Sequence, residues 1–248
     1  MSKTDTQKKK PSLEFSSVSV VLPSYNESEN INHAIQRVDH AVGKSLLEII
    51  IVDDDSPDET WRIVNEFNHP KVRLIRRLHE RGLASALAKG VEEARGRIVV
   101  WMDCDLGIPP EEIPKLIAKL DKYDLAVGSR FVGKGRDLRK LWITLNSRLI
   151  NYFAQALLGA EVKDYTSGFI AVRRTVFEKV KINPEGFGEY FIEFVHDCRR
   201  NKYRICEVGY IYGDRAGGVS KSTDNFLVFL KLGVGYIKKI IKLGFSKN

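Results

Sequence analysis

The chain has 248 residues, 43% hydrophobic and 29% charged, with 19 Gly and 8 Pro. That length admits one large domain or two small ones, and the apolar share supports a real core, which excludes disorder, collagen and coiled coil as whole-chain descriptions. The net charge of +8 sits at the ends. Residues 1–10 hold four Lys and one Asp, residues 231–248 hold five Lys and no acid, and everything between balances at 31 basic against 31 acidic residues. A neutral globule with two basic ends is no nucleic-acid binder.

Residues 1–16 read as a loose basic arm, with no apolar stretch behind it to make a signal peptide. Short Val- and Ile-rich bursts follow, each ending in polar or Gly/Pro residues: Val18–Leu22, Leu47–Val52, Val72–Ile75, Ile98–Met102 and Leu125–Val127. These have the length and content of buried parallel strands. Helical stretches of crossover length lie between them, at Ser28–Val42, Asp58–Phe67, Leu83–Ala94 and Glu111–Leu120. Ser28 and Pro57-Asp58-Glu59 suit helix starts. The alternation predicts a doubly wound α/β layer up to about residue 130.

Beyond that point Leu138, Leu141, Trp142, Leu145, Leu149, Tyr152, Phe153 and Leu157 recur at helical spacing. They form one apolar stripe, either packed into the core or lining a lipid-facing groove. From Asn225 onward Phe226, Leu230, Val234, Ile237 and Ile241 repeat similarly, with Lys231, Lys238 and Lys242 along one edge. Such a helix lies on a membrane surface or docks on the domain with its lysines in water. No 18-residue uncharged apolar run occurs, so no span is expected. The three cysteines, Cys104, Cys198 and Cys206, show no CxxC spacing, which fits a reducing, cytosolic compartment.

In an open α/β sheet, ligands bind at the carboxyl ends of the strands. Those positions carry Pro23-Ser24-Tyr25-Asn26-Glu27, Asp53-Asp54-Asp55-Ser56-Pro57-Asp58, Asp103-Cys104-Asp105 and Gly128-Ser129-Arg130. Each alone is ordinary turn chemistry. Together they bring three acidic clusters and an Arg to one edge, where the carboxylates repel unless a cation joins them. Two Asp separated by one residue suit an oxygen-ligated divalent ion, Mg2+ or Mn2+, that leaves positions open for phosphates. The five His form no HExxH pair, and GxSxG, GxxxxGK[ST] and a complete GxGxxG are absent, so hydrolase and dehydrogenase readings lack support.

In this order Leu-Pro-Ser-Tyr-Asn-Glu (22–27), Val-Asp-Asp-Asp-Ser-Pro-Asp (52–58), Arg81-Gly82-Leu83, Trp-Met-Asp-Cys-Asp-Leu (101–106) and Gly-Ser-Arg (128–130) resemble family 2 glycosyltransferases of the GT-A fold. The likeness is closest to the polyprenol-phosphate (dolichyl-phosphate) mannosyltransferases. It runs on through Asp164-Tyr-Thr-Ser-Gly-Phe169 to Arg215 and Ser220-Lys221. It implies a GT-A domain over residues 17–222, followed by a basic amphipathic helix over 223–248. It also implies an inverting, metal-dependent transfer of mannose from GDP-mannose to dolichyl or polyprenyl phosphate. Pro23, Tyr25, Glu27, Val52 and Asp54 would hold the nucleoside. Asp103 and Asp105, with the Cys104 backbone, would hold the metal and diphosphate. Arg130, Arg215 and Lys221 would neutralise phosphates, and Ser147 and Arg148 would seat the acceptor. Many relatives carry a Gln as a further metal ligand where this chain has Gly107. The expected setting is the cytoplasmic face of the ER or plasma membrane, with a small membrane-embedded subunit as a plausible anchor. Three rivals stand beside this reading: UDP-glucose as donor, a saccharide acceptor, and a non-catalytic nucleotide-sugar-binding or scaffold subunit.

Overall fold

The computed structural model describes residues 17–213 and 226–246, with side chains for all of these except 226–232. The arm expected over 1–16, together with Arg215 and Lys221, lies outside the described residues.

The five predicted bursts are strands β1 (Val18–Ser24), β2 (Leu46–Asp53), β3 (Val72–Arg76), β4 (Ile98–Trp101) and β5 (Leu125–Ser129). After the two-residue β6 (Arg136–Asp137) come β7 (Ile170–Arg173), β8 (Ile205–Gly209) and β9 (Ile211–Tyr212). The main sheet runs β3-β2-β1-β4-β7-β5-β8. All its neighbours are parallel except β7, which is antiparallel to both β4 and β5. The order turns outward in both directions from β1, to β2 on one side and to β4 on the other. That reversal opens a crevice at the carboxyl ends of β1, β2 and β4.

Strand β1 shows how the layers form. Val20 and Leu22 pack into one core with Ile35 and Val38 of α1 (Ile31–Val42) and Leu116 of α4 (Ile113–Lys119). Val21, on the other face, packs with Leu87 of α3 (Leu83–Glu93), Trp101, and Phe191 and Phe194 of α6 (Glu189–Arg200). Period-two alternation thus sends successive apolar residues into two cores, and both faces of the sheet are covered. Gly90 lets α3 lie close on the sheet, because a Cβ there would run into the Val21 and Val52 side chains.

Two helix starts differ from expectation. Helix α1 begins at Ile31, three residues after Ser28, and Ser28 caps nothing. Its amide instead donates to Asp58 (3.0 Å), whose other oxygen takes the Thr60 amide (3.1 Å) and hydroxyl (2.6 Å) at the head of α2 (Thr60–Glu66). One carboxylate therefore ties both loops together.

The stripe at 138–157 is a real helix for most of its length, α5 (Leu141–Leu158), but most of the stripe faces outward. Leu141 is 73% exposed, Leu149 68% and Tyr152 65%, while the buried positions are Ile143, Asn151, Ala154 and Leu158. The core-packing reading of that stripe fails. The C-terminal helix α7 (Phe226–Phe245) packs against α5 and α6, burying Ile240 and pairing Lys239 with Glu193 at 2.7 Å. Its outer side exposes Val234, Ile237, Ile241 and Phe245 beside Lys238 and Lys242.

Candidate active site

Three loops meet at the crevice, and side-chain hydrogen bonds lace them together. After β1, the Asn26 amide donates to the Ser56 hydroxyl (3.0 Å) and the Glu27 amide to the Thr60 hydroxyl (2.9 Å). Asp53, at the end of β2, accepts from the Ser56 amide (2.8 Å) and from the hydroxyls of Ser56 and Ser24 (2.7 Å each). The Cys104 thiol, after β4, donates to the Pro23 carbonyl (3.3 Å). Four residues other than glycine adopt left-handed backbone here: Asn26 (φ 54°), Asp55 (53°), Glu59 (60°) and Leu106 (63°). Strained backbone held by surrounding bonds is typical of a binding edge.

Tyr25 lies half-buried on this edge, with its hydroxyl taking a hydrogen bond from Arg81 (3.3 Å) and the Arg81 guanidinium over its ring. Glu27 is buried and accepts from the Asn30 amide group (3.0 Å). Val52 is fully buried beside Pro23 in the β1–β2 register. Asp54 accepts from the Gly82 amide (2.8 Å) and Arg77 Nε (2.7 Å), both within the chain. Arg77 also reaches the Gly82 carbonyl and the Ser85 hydroxyl, so Asp54 pins the turn that opens α3. The sequence reading missed Arg77, which carries no local signal for this contact 23 residues away.

Asp103 and Asp105 sit on the loop after β4. Asp105 is buried, and its Oδ1 accepts the Gly107 amide (3.0 Å), which fixes the carboxylate's direction. The charges of both aspartates act on one phenol, Tyr212, whose proton is held by burial first and then by Asp105 and Asp103. Among the described residues no three His, Cys, Asp or Glu side chains converge on a metal position. Two carboxylates with the remaining positions left to water and phosphate oxygens suit Mg2+ or Mn2+, so the donor set fits such an ion.

On the far side of the crevice lies a buried charge network. Arg130 donates to Asp164 through Nε (2.8 Å), Nη2 (2.7 Å) and its own amide (3.0 Å), and through Nη1 to the Ser147 hydroxyl (3.3 Å) on α5. Asp137, on β6, is bound by Arg139 through Nη2 (2.6 Å) and Nε (2.9 Å) and lies 3.5 Å from Arg130. Burial opposes the charge on Asp137, yet Arg139 and Arg130 outweigh it and hold the carboxyl below the ordinary aspartate range. Two Arg and two Asp cancel. A phosphate arriving here needs cations beyond the network. Arg148 is exposed nearby over the Phe131 ring, and the family resemblance assigns phosphate binding to Arg215 and Lys221, which lie outside the described residues. Asp137 and Arg139 went unrecognised in the sequence because nothing local marks them. Asp164 stood in a quoted motif without a role.

A mostly parallel GT-A-type sheet with two aspartates, Asp103 and Asp105, on the loop after β4 is the arrangement of a glycosyltransferase. The glycosyl transferase family 2 profile matches residues 19–181, and the chain belongs to that family. The chain is 41% identical over 211 residues to the dolichol-phosphate mannosyltransferase of Pyrococcus furiosus, covering 82% of this chain and 58% of that protein. It therefore spans little more than half of that relative. It is 34% identical over 212 residues to the polyprenol monophosphomannose synthase of Mycolicibacterium smegmatis, covering 82% and 79%. Among solved structures it is similar in fold to glucosyl-3-phosphoglycerate synthase from Mycobacterium tuberculosis in complex with Mn2+, UDP and glucosyl-3-phosphoglycerate. There the TM-score is 0.73 at 20% identity, covering 95% of this chain and 82% of the other.

Proposed function

We propose that this chain transfers mannose from GDP-mannose to dolichyl or another polyprenyl phosphate, with inversion at the sugar. The observation that carries this reading is helix α5. It presents Ser147 and Arg148 beside the Arg130 network and exposes Leu141, Leu145, Leu149 and Tyr152 on the same helix. An acceptor with an anionic head and a long apolar tail needs both features side by side. The names of the relatives from P. furiosus and M. smegmatis support the sugar and the lipid class.

In this reading Pro23, Tyr25, Glu27, Val52 and Asp54 frame the pocket for the nucleoside, and Asp103 and Asp105 face the diphosphate. A divalent ion held by those two carboxylates would stabilise the charge that develops on the departing diphosphate. Ser147, Arg148, Arg215 and Lys221 bring the acceptor phosphate to the sugar. Arg130, its charge taken up by Asp164, holds this wall in place. A phosphate oxygen is already anionic near neutral pH, so it attacks in one displacement and no side chain has to remove a proton. Arg suits these positions because its planar fork of donors matches phosphate oxygens.

The acceptor's tail places the chain at a membrane. No helix among the described residues is long and apolar enough to cross one. Helices α5 and α7 pack together, and their outward apolar residues, with Lys238 and Lys242 beside them, suit the cytoplasmic face. Each Lys near an anionic surface adds only about 1 kcal/mol, so a small membrane-embedded subunit would strengthen the attachment. The test is radiolabelled transfer to dolichyl phosphate in detergent, with GDP-mannose and UDP-glucose in parallel and EDTA as control. Label entering the lipid from GDP-mannose alone, and lost with EDTA, supports the reading. Transfer from UDP-glucose overturns the sugar, and label that persists in EDTA overturns the metal.

A further inference from the structure

Position 107 stands two residues past Asp105, facing the carboxylate site, and it has no side chain. The space is nevertheless filled. A Cβ built on Gly107 would meet Tyr212 Oη and Cζ at 3.2 Å and Asp105 Oδ1 at 3.3 Å. The phenol of a residue 105 positions away thus takes the volume a side chain at 107 would occupy.

The placement is built, not incidental. The Gly213 amide donates to the Gly107 carbonyl (2.9 Å), which ties the end of β9 to the carboxylate loop. The Leu138 amide donates to the Tyr212 carbonyl (2.9 Å), and β9 pairs with β6 in register Asp137↔Tyr212. The Arg139 guanidinium lies over the Tyr212 ring, 4.6 Å from its centre. Three loops therefore fix one phenol. A neutral phenol is a hydrogen-bond donor, and the atoms a carboxylate-bound divalent ion gathers around itself are oxygens that accept.

We propose that Tyr212 is a positioning residue of the metal–diphosphate site: its hydroxyl replaces a side chain at position 107 and donates to an oxygen ligand of the bound ion. The proposal rests on the reading of Asp103 and Asp105 as metal ligands. The oxygen belongs either to a metal-bound water or to the diphosphate, and the two are separable by experiment.

The test follows Mn2+ binding to the full chain by the electron paramagnetic resonance of free Mn2+, with and without GDP. A hydrogen bond to a charged cluster is worth enough to shift binding about tenfold. Tyr212→Phe keeps the ring and loses only the hydroxyl. It should weaken Mn2+ binding about tenfold in both titrations if the partner is water, and only with GDP present if the partner is the diphosphate. Tyr212→Phe binding Mn2+ like the unaltered chain in both titrations overturns the proposal. If the unaltered chain takes up no Mn2+ with or without GDP, the metal reading itself falls and takes the proposal with it.

Discussion

Replacing Asp164 with Ala tests whether the Arg130–Asp164–Asp137–Arg139 network is held together by charge. In the folded chain the Arg130 and Asp164 side chains are 4% and 0% exposed, and three of the Arg130 hydrogen bonds end on Asp164. Asp164→Ala leaves the guanidinium buried with only Asp137 at 3.5 Å and the neutral oxygens of Thr166 and Ser147. Breaking one half of a buried pair costs roughly 3–5 kcal/mol. For a chain of this size each kcal/mol lowers the melting temperature by roughly 2–4 °C, so the expected fall is about 6–20 °C. Thermal unfolding followed by circular dichroism at neutral pH reads it directly. Arg130→Met combined with Asp164→Leu removes both charges and should regain most of the loss, because two apolar side chains need no partners. A melting temperature for Asp164→Ala within about 2 °C of the unaltered chain would refute the reasoning, as it would mean that the pair carries no net weight.

Three other outcomes follow from the same structure. Asp105→Ala should lower turnover at least about 10²-fold with the fold intact, as loss of a group that stabilises transition-state charge does; near-normal turnover removes the metal role. Leu145→Asp with Leu149→Asp should weaken co-sedimentation with anionic vesicles while leaving Mn2+ and GDP binding unchanged, and equal sedimentation would dismiss the α5 face as a membrane contact. His196 is buried on α6 with no hydrogen-bond partner for either ring nitrogen among the described residues, and burial, then Arg200 and Arg199, holds its pKa below the ordinary value near 6.5. The folded state then binds fewer protons than the unfolded one. Stability is complete above about pH 6.5 and lost as pH falls from there through the lowered folded value. His196→Phe should flatten that decline, and parallel melting curves across pH 5–8 would contradict it.

Why some of the site could be read along the chain and some could not comes down to range. Pro23, Asp54, Asp103 and Asp105 were visible because each directly follows an apolar strand-length run, and such positions fall on the ligand edge of any doubly wound sheet. Tyr212 was invisible because its partners lie at 105, 107 and 139, and no spacing rule links them. Strand β7 escaped notice for a related reason. Its four residues, Ile170-Ala-Val-Arg173, are too short to signal by themselves, and its place between β4 and β5 is decided by pairing on both sides.

Helix α5 divides the two kinds of information most plainly. Its helical period was legible from Leu141 to Leu157, because apolar spacing of three and four residues is a local property of the chain. Which side would be buried was not, because it depends on α7, which packs on this helix with Gly244 against Leu157, and on the Tyr165 amide, which binds the Asn151 side chain, while Leu145 and Leu149 stay outside. The sequence by itself settled the alternation of strands and helices and the positions of the carboxylates, which depend on short-range pattern. Only the tertiary structure decided which charges neutralise one another, which apolar face stays uncovered, and that a phenol takes the empty place beside Asp105. Burial, charge pairing and packing are properties of residues brought together from distant parts of the chain.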